Sequence, residues 1–146
     1  MSKRIKLTKN FHLDEFVPKE IYDKFGMNSL WFLDPNIIKL AQGMRDYINK
    51  PMTINDWWNG GGYQLSGFRP PASKVGAPLS QHRFGRAIDV KFKDTDYDEL
   101  RRNIIGNTCD YMEMGLTTIE DGTESWLHCD IRNTGYEHKI YVVPYY

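Results

Sequence analysis

Residues 86–92, Arg-Ala-Ile-Asp-Val-Lys-Phe, alternate strictly in character. Ile88, Val90 and Phe92 fall on one face and Ala87, Asp89 and Lys91 on the other, the period of a half-buried β-strand. The strand therefore carries an acid in its middle. Burying that carboxylate without partners is costly, so Asp89 has to meet a cation or several donors brought from elsewhere in the chain. Residues 126–131 alternate as well: Trp126, His128 and Asp130 share one face, and Leu127, Cys129 and Ile131 the opposite one. His82 lies on the loop that leads into the first strand. Gly85, between His82 and Asp89, lets the chain turn so that the imidazole folds back beside the carboxylate. With the two strands as neighbours, His82, Asp89 and His128 converge. Two imidazoles and one carboxylate are a three-point set for zinc that leaves a position open for water. Cys129 faces away from it. His12 and His138 are read as ordinary surface or hydrogen-bonded residues.

The rest of the chain supplies helices first and strands later. Pro18 opens and Gly26 closes a short helix. Asp34 is an N-cap with Pro35 at the first helical position. Ile37, Ile38, Ala41, Met44 and Ile48 then make one buried face, and the helix stops near Asn49, before Pro51. Met52–Ile54 and Tyr63–Phe68 read as two strands of a hairpin joined through Trp57-Trp58-Asn59 and three glycines. Residues 70–80, with Pro70, Pro71, Gly76 and Pro78, read as a long irregular loop of the kind that is usually functional. Thr95 and Asp98 resemble a capping box for a helix whose stripe is Tyr97, Leu100, Ile104 and Ile105, ended by Gly106. A last strand is expected at 138–143. The expected class is α+β, a small antiparallel sheet with flanking helices, in a single domain spanning residues 1–146.

Charge and composition narrow the partners. Lys plus Arg and Asp plus Glu are 19 each, so the formal net charge is zero. The long-range field that draws proteins to nucleic acid is missing, and so is a basic stripe. No segment is apolar over a length that spans a membrane. The basic N-terminus has no apolar run behind it, so no secretory signal is expected. Cys109 and Cys129 could form one bridge at most; two buried, reduced thiols are the plainer reading.

The pattern Ser80-x-His82-x-x-Gly85-x-Ala87-x-Asp89, followed by Trp126-x-His128, resembles the M15 family of zinc peptidases. The stretch Ser66-Gly67-Phe68-Arg69-Pro70 is similar to the family's Ser-Gly-Tyr-Arg segment, and Phe11-x-Leu13-x-Glu15-Phe16 with the helix at 35–49 looks like its short phage and bacterial branch. The resemblance covers roughly residues 8–135. It implies a hedgehog/DD-peptidase-like fold and zinc held by His82, Asp89 and His128. It also implies hydrolysis of peptide bonds in peptidoglycan stem peptides, by a D-Ala-D-Ala carboxypeptidase or an endopeptidase in cell-wall lysis or remodelling. Arg69 takes the place of the arginine that faces the substrate carbonyl or carboxylate; a surface salt bridge is the plainer role. A monomer is expected, with no membrane or nucleic-acid partner, in the host cytoplasm with holin-type release or carried by a virion.

One departure bears on catalysis. Many members carry an acid three residues before the last His, and Ser125 stands there. On a regular strand Glu124 would share the face of Trp126 and His128, which makes it the first choice of general base. Glu120, on the preceding loop, is the second. All the acids of 120–124 can equally be a solvated loop. Ser80, Trp57 and Trp58 are candidate substrate contacts: Ser80 by hydrogen bonding, the tryptophans as a mobile aromatic rim or else as core. Trp126 is read as a wall that shields the metal and fixes His128. Two functions follow. One is a zinc metallopeptidase. The other is a catalytically inactive, zinc-stabilised wall-binding or structural virion module of the same fold, in which the metal serves stability.

Overall fold

A computed structural model describes residues 3–145. The chain opens with Phe11, Leu13, Phe16 and Val17, all buried, around a 3-10 turn at Leu13–Glu15. Helix α1 (Lys19–Phe25) follows behind Pro18. Helix α2 (Pro35–Ile48) begins where Asp34 accepts a hydrogen bond from Asn36 N (2.9 Å) and ends on Asn49, which is left-handed and donates its N–H to Arg45 O. Its buried stripe is Ile37, Leu40, Ala41 and Met44. Leu40 thus sits at the centre of the stripe, and Ile38 and Ile48 on its flanks are only partly covered.

Four strands form one sheet in the order β1-β3-β2-β4. They are β1 (Ala87–Val90), β2 (Thr118–Asp121), β3 (Leu127–Asp130) and β4 (Tyr141–Pro144). Between β1 and β2 lie α3 (Tyr97–Gly106) and α4 (Thr108–Glu113). The α+β class is as expected, but the sheet is mixed. β1 and β2 each run antiparallel to β3, whereas β4 runs parallel to β2. Residues 131–140 cause this: β3 ends beside Thr118 at the start of β2, and the link passes that end of β2, so β4 starts level with Thr118 on the far side and runs in the same direction as β2 instead of closing a hairpin on β3. Ile88, Val90, Leu127, Cys129 and Ile119 are buried on one sheet face, in the core shared with α2. Asp89 and His128 lie on the other.

Three local expectations are corrected. The hairpin of 52–54 and 63–68 is absent as a strand pair. Thr53 instead bridges Lys91, and Ser66 O accepts from Asp89 N (2.7 Å), so these segments lend their hydrogen bonds to the edge of β1. The cap of α3 is Asp96, which accepts from Asp98 N and Glu99 N; Thr95, one residue earlier, accepts from Lys50 Nζ. Glu120 and Asp121, expected on a loop, belong to strand β2. The thiols depart as well: Cys109 is exposed where burial was expected, Cys129 is buried, and both are free. Among the described residues, no helix is long and apolar enough to cross a membrane.

The N-terminal turn carries a pH dependence. Glu15 accepts from His12 N (2.7 Å). Burial lifts its carboxyl to about 7, against the opposing pull of that hydrogen bond and of Arg4. A folded-state pKa raised above the unfolded one favours folding fully below about pH 4.5, and the benefit is lost as pH rises through about 7. Glu15→Gln is expected to flatten this slope and to stabilise the protein at pH 8 by about 1–3 kcal/mol. Urea unfolding at pH 5 and pH 8 checks it; identical slopes in both proteins would contradict the assignment.

Candidate metal centre

His82 sits in a 3-10 turn, Gln81–Phe84, whose cap Ser80 accepts from His82 N (3.3 Å). The turn ends on Gly85, at φ 66, and a Cβ there would lie 2.0 Å from Phe32 O. Only glycine fits this bend, and the bend aims the imidazole at β1. Gly67 provides the second anchor. Its carbonyl lies 2.8 Å from His82 Nδ1. Its backbone in turn packs so closely on the 11–17 segment that a Cβ would meet Phe16 O at 2.3 Å.

His128 arrives by register. It pairs directly with Asp89 across β1 and β3, so both side chains leave the same sheet face. His128 Nε2 lies 2.7 Å from Asp130 Oδ2. Asp130 is completely buried and takes a two-point grip from Arg132, Nε on Oδ1 (2.9 Å) and Nη2 on Oδ2 (2.6 Å).

These outer partners fix which nitrogen of each ring faces inward. A carbonyl oxygen can only accept, so His82 Nδ1 donates to Gly67 and Nε2 is the nitrogen turned inward. The ionised Asp130 likewise accepts a hydrogen bond from His128 Nε2 and leaves Nδ1 as the inward nitrogen. Both inward nitrogens lie 3.2 Å from Asp89 Oδ1. Two ring nitrogens and a carboxylate oxygen therefore meet at one point, and their charge favours a cation or a shared proton among them. Burial works against charge on His128, but the hydrogen bonds and negative charge of Asp130 and Asp89 outweigh it and lift its pKa to about 9. Burial would likewise raise Asp89; attraction to His82 and the hydrogen bonds of both imidazoles hold it well below the usual carboxylate range.

The same arrangement suits a metal ion. The ligand atoms of His82, Asp89 and His128 all lie within 4.8 Å of one another, so this buried group could hold one. The outward nitrogen of each imidazole is already tied to an oxygen, as metal-binding histidines require for orientation.

Around this point opens a cavity of about 460 Å³, lined among others by Arg69, Ser80, Glu120, Trp126 and Tyr145. Arg69 Nη2 lies 3.2 Å from Asp89 Oδ2, and its Nε donates to Leu65 O (2.8 Å), so the guanidinium is fixed at the rim. Ser80 both caps the His82 turn and faces the cavity. Trp126 stands edge-on to Tyr145, with ring centroids 5.4 Å apart.

Of the two candidate bases, Glu120 is the one brought to the centre: its Oε1 lies 3.9 Å from His128 Nδ1. Glu124 is exposed in the turn before β3 and stays off the cavity lining. Its expected strand position fails because β3 starts only at Leu127. Trp57 and Trp58 also lie away from the lining. Each packs at 5.6 Å on Tyr22, and Trp57 Nε1 donates to Val17 O (2.9 Å), so both serve the packing under α1. The grip of Asp130 and Arg132 on His128 was not anticipated, although its signal, charged residues at every second position after His128, stands in the sequence.

No family model, curated protein or solved structure matches the chain.

Proposed function

We propose that the protein is a zinc peptidase that hydrolyses peptide bonds in the stem peptides of peptidoglycan, with an M15-like site on a hedgehog/DD-peptidase-like fold. One observation carries the peptidase reading: the ligand atoms of His82, Asp89 and His128 converge in the lining of an open cavity that Glu120 and Arg69 also line. The nitrogen and carboxylate donors suit zinc, which when bound lowers the pKa of coordinated water to about 7 and polarises a carbonyl. The chain's own residues do the remainder. Glu120 takes a proton from the attacking water on Oε1 and hands it to the leaving nitrogen. Arg69 directs its guanidinium donors at the oxygen that gains negative charge. Trp126 and Tyr145 wall the cavity against bulk solvent. The choice of stem peptides rests on the sequence pattern of Ser66–Pro70, Ser80–Asp89 and Trp126–His128.

Purified cell walls of different peptide types test the proposal. Zinc-loaded protein is expected to release new amino or carboxyl termini from at least one wall type, a chelator to stop this, and added zinc to restore it. Zinc-loaded protein that frees no termini from any wall would overturn the peptidase reading in favour of a non-enzymatic module.

A further inference from the structure

One wall of the cavity has no regular structure. No helix or strand forms between Pro70 and Ser80, yet Gly76, Ala77, Leu79 and Ser80 line the cavity beside His82. Most residues of this stretch are exposed. Side-chain burial therefore does little to offset the entropy of ordering so long a loop.

Its backbone carbonyls converge on one side chain instead. Arg83 Nε donates to Ala77 O (3.0 Å). Nη1 donates to Pro70 O (3.3 Å) and Pro71 O (3.4 Å), and Nη2 to Ser73 O (2.9 Å) and Val75 O (3.4 Å). A guanidinium has five N–H donors in a rigid planar fork. Five carbonyls of one short stretch take them all up. Among the described residues, the other hydrogen bonds of 71–77 are short-range turns: Ser73 N to Pro70 O, Val75 N to Ser73 Oγ and Ser80 N to Ala77 O. Arg83 itself is anchored in the same 3-10 turn as His82, where its own N–H bonds Ser80 O (3.0 Å). One turn thus sends one side chain to the metal centre and the next into the loop that forms the adjacent wall.

We propose that Arg83 is a positioning residue that folds segment 70–79 into the cavity wall and thereby sets how well the cavity holds its substrate. The folding part stands on the hydrogen bonds alone; the substrate part rests on the peptidase reading.

Zinc-loaded full-length protein and its Arg83→Ala and Arg83→Lys variants are digested with a lysine-specific protease, and the fragments are followed by mass. Lys74 is exposed in the middle of the loop, and Lys93 and Lys139 are exposed outside it. Cleavage after Lys74 is expected to be at least about tenfold faster in Arg83→Ala, because several charge-assisted hydrogen bonds to the loop are gone. Arg83→Lys should behave similarly, since a single ammonium cannot span five carbonyls. Cleavage after Lys93 and Lys139 should not change. An unaltered rate at Lys74, or an equal rise at all three sites, would overturn the proposal, the second because it marks general unfolding. On a cleaved muropeptide both variants are expected to raise KM and keep kcat; a fall in kcat at constant KM would refute the substrate part. If the wild type hydrolyses no muropeptide, the peptidase reading falls, while the digestion still decides the role of Arg83 in the loop.

Discussion

With free zinc held about a thousandfold above its Kd, the melting temperature of the protein is expected to rise by about 8–16 °C over the metal-free form. At that excess a ligand bound only by the folded state adds about 4 kcal/mol, and each kcal/mol moves a domain of this size by about 2–4 °C. Asp89→Ala and His128→Ala are expected to abolish the shift. Losing an outer partner of a metal ligand already weakens affinity by about 10–100-fold, and losing a ligand weakens it further. Binding is also expected to release a proton. His128, held near 9 without metal, is mostly protonated at pH 7.5, and its inward nitrogen must be bare to bind. Zinc affinity is therefore expected to climb by about tenfold per pH unit until about pH 9 and then level off. The metal-free protein shows the opposite slope. His128 has a raised folded-state pKa, so its contribution to stability is complete below about pH 6.5 and fades as pH rises through about 9. Calorimetry in buffers of different ionisation enthalpy counts the proton. Binding that releases none at pH 7.5, or a shift that survives in Asp89→Ala, would remove the three-ligand site.

The parts legible in the sequence are those fixed by neighbours along the chain. Asp34 and Pro35 start α2, and the alternation of 86–90 and 127–130 gives β1 and β3. Because these strands pair with Asp89 opposite His128, the convergence of the candidate ligands could be read before any coordinate. What stayed hidden depends on distant groups. β2 has only four residues, two of them acids, and forms because Thr118 and Ile119 are buried between β3 and β4. The destination of Trp57 and Trp58 is decided by Tyr22, far earlier in the chain. Glu124 was misplaced through Arg101, a buried side chain on α3. Its Nη2 takes Thr123 O (2.8 Å) and its Nε takes Glu120 O (2.8 Å), which curls residues 121–126 onto the helix and breaks the alternation before Leu127.

The same contacts make Glu120 the residue on which hydrolysis should depend most. Its carbonyl is held by Arg101, and its strand is held on both sides, by β3 and by Val143 of β4, which pairs with it. Its side chain is about a quarter exposed, near enough to water to exchange a proton and near enough to His128 to act on a substrate bound between them. Glu120→Gln keeps shape and hydrogen bonding but cannot accept the proton. It is expected to lower kcat by about 10²–10⁴-fold, the usual worth of a positioned acid–base group, with zinc content and melting temperature retained. Glu124→Gln should leave kcat as it is, because the exposed turn holds that carboxylate away from the cavity. Steady-state hydrolysis of a muropeptide, paired with metal analysis of each variant, separates the two acids. Loss of activity in Glu124→Gln with activity kept in Glu120→Gln would mean that the 121–126 turn unrolls when substrate binds, carrying Glu124 to the site that the free protein gives to Glu120.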